Sequence, residues 1–185
     1  MGRSRSAAIE GARRVLAEHG VRKTTMGEVA IRGGLAKATL YNHVRTKDQL
    51  LTLVVTDGVA RVATAAAAAL AGAGLAAGLT AAADTLAADE VLAGVRRTEP
   101  AALVPLAAPG SGAAWDEVRR LVGDALRSAG ARPGRGEIDL VLRWLTSLVL
   151  APGTAPERAA AAGALVVTLP AAASRTSFAA VPTVD

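Results

Sequence analysis

The sequence predicts an all-α fold of about nine helices: a three-helix N-terminal head followed by a larger helical bundle. Apolar residues recur at the three- and four-residue spacing that marks the buried face of a helix. Thr-x-x-Glu and Thr-x-x-Gln pairs mark helix starts, and Gly and Pro mark helix ends. Hydrophobic residues make up 51% of the chain but aromatic residues only 2%, so the core must be built from Ala, Leu and Val.

The first helix of the head is predicted over residues 4–19. Ile9, Ala12 and Leu16 fall on one face at helical spacing. Gly20 follows directly, and glycine is the residue that most often ends a helix because it adopts positive φ at little cost. We therefore expect Ile9, Ala12 and Leu16 to face the core of the head.

The second helix is predicted to begin near Met26 and to end at a glycine pair. Thr25 and Glu28 have the spacing of a capping box, in which two side chains satisfy free backbone N–H groups at a helix start. Gly33 and Gly34 then break the helix and allow a tight turn. A turn here leads directly into another short helical segment.

That third helix is predicted over residues 36–43 and is too short to be stable alone in water, so its neighbours must hold it through Leu40 and Val44. Thr46 and Gln49 form a second capping pattern, which opens a long helix. A short helix locked at a fixed angle suits the major groove of DNA. Its outward side chains are polar: Lys37, Thr39, Asn42 and His43.

The charge of the chain is concentrated in the same region. Residues 1–50 contain ten Lys and Arg against four Asp and Glu, a net charge of +6, whereas the remaining 135 residues contain eleven against twelve. Phosphate neutralisation dominates the affinity of proteins for nucleic acid. We therefore expect the N-terminal unit to bind double-stranded DNA through a helix-turn-helix.

The run TTMGEVAIRGGLAKATLYNHVRTKDQLL resembles the N-terminal domain of TetR-type (TetR/AcrR-like) transcriptional regulators over about residues 5 to 55. The shared pattern is a Thr-capped second helix, a Gly turn, a third helix ending in Leu-Tyr-x-His, and a Lys-Asp pair opening the fourth. The resemblance implies a homodimeric repressor. Residues 1–46 would bind DNA, and residues 47–170 would bind a small molecule and dimerise.

The resemblance carries DNA-contact roles onto individual positions. Those expected to face bases or nearby phosphates are Lys37, Ala38 and Thr39. Those expected to contact backbone or flanking phosphates are Thr25, Tyr41, His43 and Lys47. Outside the family pattern, Asn42 faces outward from the same helix, and the first residues of the chain either form a disordered tail or reach an adjacent groove or phosphate through Arg3 and Arg5.

Three positions depart from the family pattern. Ala36 stands where the family usually has a capping Ser or Thr, Gly33 where it prefers Ala, and Val44 where Phe usually fills the small core. A missing N-cap costs about 1 kcal/mol. We therefore expect a head of modest stability when DNA is absent.

The rest of the chain reads as helices separated by glycine or proline breaks. Helical patterns are predicted over about 47–71, 75–88, 89–97, 99–108, 115–129, 137–151 and 155–169, and Gly72 and Gly74 mark the first break. Residues 171–185 are rich in Ser, Thr and Pro, and we expect a loose tail there.

The two final helices are the candidates for a dimer interface. The helix over 137–151 is apolar around most of its circumference, and the one over 155–169 is rich in small residues. Packing against a second copy would form a four-helix bundle and place two recognition helices about 34 Å apart. The alternative is that both helices close the chain's own core. The expected interface residues are Ile138, Val141, Leu145, Leu148, Ala161 and Leu165.

A ligand site is expected among the helices between about 62 and 126, because displacement of the long fourth helix there would move the head. The side chains available favour a small apolar or amphipathic effector. A structural bundle without a ligand stays an open alternative. The expected lining residues are Val62, Leu79, Leu86, Leu103, Trp115, Val118 and Val122.

Several classes of function are disfavoured. The chain has no Cys, no GxSxG motif and no GxGxxG after a strand, so we expect neither an enzyme nor a cofactor. His19 and His43 lack partners at ligand spacing, so no metal site is expected. The start has no signal-peptide pattern, which favours a cytoplasmic protein. Residues 62–83 are uncharged, but Ala, Gly and Thr supply most of them, so no membrane span is expected. A non-specific architectural DNA binder remains the rival interpretation.

Overall fold

A computed structural model describes residues 2–170, which form eight α-helices and one 3₁₀ helix without a β-strand. The predicted tail, residues 171–185, lies outside the described residues. The all-α prediction is confirmed. The α-helices are α1 (Arg3–Lys23), α2 (Met26–Arg32), α3 (Lys37–His43), α4 (Lys47–Ala87), α5 (Glu90–Thr98), α6 (Ala113–Ser128), α7 (Arg135–Ser147) and α8 (Ala155–Thr168), and the 3₁₀ helix Pro100–Leu106 lies between α5 and α6.

Two of these helices are interrupted by glycine at the predicted breaks. Gly20 has φ 76° inside α1, and Gly74 has φ 82° inside α4. Positive φ is accessible to glycine at little cost because it has no Cβ. The long helix that leaves the head therefore runs to residue 73, and the segment after Gly74 continues in a new direction.

The head is built around one apolar cluster that α1, α2, α3 and the start of α4 enclose. Leu50 and Val54 on α4 are buried in the same cluster as the residues of the first three helices. The head therefore includes the first two turns of α4, beyond the boundary at residue 46 that the sequence suggests. The other buried members are Ala8, Ala12, Val15, Leu16, Val29, Ala30, Leu40 and Val44.

Helix α5 joins the head to the remainder of the chain. Val91 on α5 and Val21 on α1 pack against both the head cluster and a small second cluster. That second cluster has Val95, Leu103 and Val149 at its centre. The largest core of the bundle lies farther from the head, where α4, α6, α7 and α8 meet around Leu79, Leu126, Ala131, Val141, Ala162 and Leu169.

Helix α4 is long and apolar enough to cross a membrane by length and composition, and one such helix is weak evidence of a span. Its uncharged stretch begins after Arg61 and is broken at Gly74. At about 1.5 Å per residue the unbroken part is about 18 Å long. The hydrocarbon core of a bilayer is about 30 Å thick, so the break argues against a span.

Candidate nucleic-acid interface

Helix α3 has a buried apolar edge and an exposed polar face. Leu40 and, directly after the helix, Val44 are both 0% exposed. Thr39 is half-buried. The packing of only two side chains therefore leaves almost the whole of α3 open to a partner, and its exposed residues are Lys37, Ala38, Tyr41, Asn42 and His43.

Two close backbone approaches fix α2 against α1 and so help to set the angle of α3. A Cβ on Gly11 would lie 2.5 Å from the carbonyl oxygen of Val29, and a Cβ on Gly33 would lie 2.6 Å from that of Ala7. A side chain at either position would force backbone to move. Gly33 therefore has a structural role in this chain, because α1 lies too close to it to leave room for the Ala that the family prefers.

The predicted capping box at the start of α2 is only half formed. The Thr25 hydroxyl accepts the backbone N–H of Glu28, with N and O 3.3 Å apart. The Glu28 carboxylate does not return to Thr25, and it lies 3.1 Å from Nε2 of His19 instead. This pair ties α2 to the end of α1. Within residues 2–170, no cluster of His, Cys, Asp or Glu is placed to hold a metal ion.

The cap at the start of α4 also differs from the predicted box. The Thr46 hydroxyl accepts the Gln49 N–H at 3.2 Å, whereas Gln49 Oε1 accepts the N–H of Arg45 at 2.9 Å. Lys47 is half-buried, and its Nζ donates to the backbone oxygen of Arg22 at 3.1 Å. A lysine ammonium has three donors, so Lys47 can anchor α4 to α1 and still donate to a phosphate.

The cations of the head fall into two groups. On the α1 and α2 side, Arg32 pairs with Glu18 at 2.5 Å and Arg14 with Glu10 at 3.1 Å, which neutralises these charges locally. Within the described part of the chain, six other cations of the head have no carboxylate within ion-pair distance: Arg3, Arg5, Lys23, Lys37, Arg45 and Lys47. These cations without a carboxylate partner supply the positive charge that can bind DNA phosphates.

Arg45 is a candidate contact that the sequence reasoning missed. It is exposed and follows the last turn of α3, whereas Lys37 begins that helix. The two cations therefore stand at opposite ends of α3. The sequence signal that could have identified Arg45 is its place as a basic residue two positions after the predicted third helix.

Arg3 and Arg5 lie in the first turn of α1 and not in an extended arm. Arg3 is exposed and Arg5 is half-buried. As part of a helix that packs in the head core, they move with the head. Any contact they make with a phosphate must therefore be compatible with the position of α3.

The structure distributes the expected ligand-lining residues over two cores. Leu79 and Val122 pack in the large bundle cluster, whereas Leu103 is buried around Val95 in the small cluster beside α5. Alanine-rich and glycine-rich helices pack closely, so these side chains contact neighbours and not a void. A ligand site over these residues stays a prediction. The half-buried remainder of the set is Val62, Leu86, Trp115 and Val118.

Two open cavities lie elsewhere on the described part of the chain, and none of the expected lining residues borders either one. A cavity of about 510 Å³ at the junction of α1, α4 and α5 has charged walls, including Arg13, Arg61 and Asp89. A second cavity, of about 470 Å³, lies where the break in α4 meets the end of α6. Its lining is mostly small and apolar: Ala67, Leu70, Ala71, Gly74, Ser128 and Ala129.

The expected dimer residues face mainly the chain's own core. Val141 and Leu148 are only 1% and 5% exposed, so neither can also cover a partner's surface. Ile138, Leu145, Ala161 and Leu165 are half-buried. Because α7 is apolar around most of its circumference, its sequence does not indicate which face points away from the chain's own core. The large apolar side chains that the structure leaves exposed on or beside α7 and α8 are Leu140, Leu150 and Val167.

Residues 8–54 match the family described as bacterial regulatory proteins, tetR family. The matched segment runs from α1 to the second turn of α4. It therefore coincides with the head as its core defines it, including Leu50 and Val54. No curated protein matches the chain.

Solved structures resemble about nine-tenths of the chain. The TetR family repressor AlkX from Dietzia sp. strain DQ12-45-1b, implicated in biodegradation of n-alkanes, has a TM-score of 0.66 at 14% identity, covering 88% of this chain and 95% of that one. RolR without ligand has a TM-score of 0.56 at 21% identity, covering 91% and 92%. A gamma-butyrolactone receptor (ArpA-like protein) has a TM-score of 0.51 at 22% identity, covering 90% and 88%. At these identities the likeness shows a shared fold.

Proposed function

We propose that this chain, a TetR-type transcription regulator by its N-terminal domain and helical fold, acts in the cytoplasm as a repressor that binds a near-palindromic operator as a homodimer. The observation that carries the proposal is the polar face of α3 above the fully buried Leu40 and Val44. A helix held in this way can enter the major groove with its side chains towards base edges.

The residues of α3 and its flanks divide into two roles. We assign base or nearby phosphate contacts to Lys37, Ala38 and Thr39, and an amide contact with a base edge to Asn42, because amides hydrogen-bond adenine edges. Contacts with phosphate position the helix without reading sequence. The residues assigned to them are Thr25, Tyr41, His43, Arg45, Lys47, Arg3 and Arg5.

A second copy of the chain is the proposed partner of α7 and α8. Leu140, Leu150 and Val167 are 45%, 41% and 86% exposed. Ala160 and Ala164 are also exposed on α8, and small residues allow two helices to approach closely. A two-fold axis through this surface would bury these apolar side chains and form a four-helix bundle. Two heads about one DNA turn apart would then read two half-sites.

The cavity of about 470 Å³ beside Leu70 is the proposed effector site. It is an open cavity whose wall is largely apolar, and four of its lining residues are exposed, so a ligand there would be enclosed on one side. A ligand there would press on α4 just before its break at Gly74. Because α4 begins in the head, ligand and DNA would weaken each other's binding reciprocally. An n-alkane and a gamma-butyrolactone are suitable first compounds, since two proteins of this fold are named with them.

A competition gel shift tests operator binding. Duplexes selected from a random library by the protein should bind at least about a thousandfold more tightly than random duplex. The selected sequence should be an inverted repeat. Equal affinity for selected and random duplex would instead identify a non-specific architectural binder.

Release from the selected duplex tests the effector site. Leu70→Phe should fill the cavity and abolish release by a compound that releases the parent protein. Leu121→Phe is the matched control, because Leu121 lies exposed on α6 away from the cavity residues. Normal release of Leu70→Phe by the compound would place the effector elsewhere.

A further inference from the structure

Three helices meet at one carboxylate beside the head. Asp89 precedes α5, and its Oδ1 accepts the N–H of Leu92 at 3.0 Å, which caps that helix. Its Oδ2 accepts hydrogen bonds from Nη2 of Arg13 on α1, at 3.0 Å, and from Nη2 of Arg61 on α4. The side chains of Asp89 and Arg13 are only 9% and 14% exposed. Asp89 therefore bonds to α1, α4 and α5 at once, largely shielded from water.

A second carboxylate completes an alternating arrangement of charges. Asp57 on α4 lies 3.3 Å from Nε of Arg61 and 4.0 Å from Nη1 of Arg13. Burial by itself raises the pKa of Asp89, but the Leu92 N–H and the guanidinium groups of Arg13 and Arg61 outweigh this and lower the pKa below its usual value. Asp89 is thus ionised at neutral pH, and Arg13 of the head is held between two carboxylates from outside α1 to α3.

The same junction is tied at the far end of α5. The Glu99 carboxylate accepts the N–H of Arg22 at 2.8 Å. Arg97 on α5 donates to the carbonyl oxygen of Ala17 at 3.3 Å. These bonds attach α5 along α1, whereas the bonds of Asp89 add α4 to the same unit. Rotation of the head against α5 must therefore break the Arg13–Asp89 pair, and rotation of α1 and α5 together against α4 must break the Arg61–Asp89 pair.

Packing alone does not hold Arg13 in place. The guanidinium of Arg13 lines an open cavity of about 510 Å³ together with Arg61 and Asp89, so one side of it faces this opening and not packed side chains. A side chain in this position keeps its orientation through its ion pairs. Removal of the Asp89 charge should therefore loosen the orientation of the head against α4, while the apolar core of the head and the packing of α5 on α1 stay intact.

We propose that Asp89 is a positioning residue that sets which operator half-site spacing the protein accepts, by fixing the orientation of the head through Arg13. The inference rests on the proposed function, in which two heads read two half-sites. Asp89 does not contact DNA in this arrangement. Its effect is on the distance and angle between heads, so base preference within each half-site does not depend on it.

The test compares spacing discrimination in two carboxylate variants. Asp89→Asn removes the charge but keeps the size and the ability to cap α5, since Asn is as good an N-cap as Asp. Asp84→Asn is the matched control, because Asp84 on α4 pairs with Arg158 of the bundle at 2.6 Å and does not contact the head. Affinity is measured for the duplex selected by the parent and for versions with one base pair added or removed at its centre.

The parent and Asp84→Asn should prefer the selected spacing equally. In Asp89→Asn, the ratio of affinities for the selected and the altered spacing should fall about tenfold. A change of this size lies within the range of coupling energies between residues of one ion-pair network. Base substitutions within a half-site should lower the DNA affinity of all three proteins by the same factor. Full retention of spacing preference by Asp89→Asn would overturn the inference. A parent protein with no spacing preference would overturn the two-half-site function and the inference with it.

A double-mutant cycle guards against a variant that simply misfolds. Arg13→Gln removes the same bond from the head side and leaves the cap and the Arg61–Asp89 pair in place. If the pair acts as proposed, Arg13→Gln should match Asp89→Asn, and the double variant should add little to either. Effects on spacing preference that add fully would show that the two residues act independently, which contradicts the inference. Far-UV circular dichroism establishes that each variant is folded.

Discussion

Gly94 on α5 packs directly against the backbone of Ala17 on α1. A Cβ at position 94 would lie 2.0 Å from the carbonyl oxygen of Ala17 and 2.5 Å from its Cα. The two helices thus approach as closely as their backbones allow. This contact sets the distance between the head and α5, and the ion pairs of Asp89 fix the orientation.

Gly94→Ala should therefore destabilise the protein by about 1–3 kcal/mol, the usual cost of forcing an extra methyl into a packed site. Gly72→Ala is the control, since a Cβ there meets nothing within 4 Å and Gly72 lies inside α4. It should stabilise the helix by about 0.5–1 kcal/mol. Urea unfolding followed by circular dichroism measures both. Equal stability of the two variants would mean that α5 can move off α1 at no cost.

Ala36→Ser should stabilise the head. Ala36 occupies the N-cap position of α3 in extended backbone with no side-chain bond to the helix. A serine hydroxyl can accept an N–H of the first turn, worth about 1 kcal/mol. Thr25→Ala should do the opposite by a similar amount at α2, where the hydroxyl accepts the Glu28 N–H. Thermal unfolding of the two variants should shift in opposite directions, and an unchanged midpoint for Ala36→Ser would show that α3 begins elsewhere.

Lys37→Ala should weaken operator binding without altering the fold. Because Lys37 is exposed and has no carboxylate partner within the described residues, its removal costs no internal ion pair. If it contacts phosphate, the slope of log affinity against log salt should fall by about one; if it reads a base, discrimination should fall instead. Arg132→Ala, at an exposed position after α6 that makes no ion pair within the described residues, is a charge-matched control in the bundle. A Lys37→Ala variant with the parent's salt dependence and the parent's base discrimination would show that Lys37 does not contact DNA.

Comparison of Tyr41→Phe with Tyr41→Ala separates the contribution of the hydroxyl to DNA binding from that of the aromatic ring. Its side chain is 39% exposed on α3. Loss of the hydroxyl alone should weaken binding if it donates to a phosphate, by about 1.5–3 kcal/mol, the usual contribution of a hydrogen bond to a charged group. Both variants should leave the tryptophan fluorescence melt of the bundle unchanged, because Trp115 and Trp144 lie on α6 and α7. Parent-like affinity of both would exclude a DNA contact.

The Asp89 carboxylate should give the protein an acid-sensitive contribution to stability. Because its pKa is lowered on folding, this contribution is complete above the ordinary value near 3.8 and disappears as pH falls through the lower folded value. Asp89→Asn should therefore cost about 2 kcal/mol at neutral pH, as for lost hydrogen bonds to a charged group. Denaturant unfolding of parent and variant should converge well below pH 3.8. A constant difference at every pH would show that charge is not what Asp89 contributes.

Much of the local structure follows from nearby residues. Ile9, Ala12 and Leu16 are buried where helical spacing places them, and the glycine breaks fall at Gly20 and Gly74. The outward face of α3 follows in the same way from Leu40 and Val44. The capping patterns place the starts of α2 and α4 correctly, but Glu28 and Gln49 make other bonds than those of a capping box. A side chain on a helix surface takes whichever partner tertiary packing brings near.

By itself, then, the sequence determined the helices, their breaks and the polar face of α3, because periodicity, caps and glycine act over a few residues. Only the tertiary structure decided which side of α7 is outward, where cavities remain, and that Arg13 meets Asp89, 76 positions along the chain. An arginine and an aspartate carry no periodic signal that links them. Such a pair is specified only when α5 has packed against α1, and that packing depends on backbone contact at Gly94, where there is no side chain to be read.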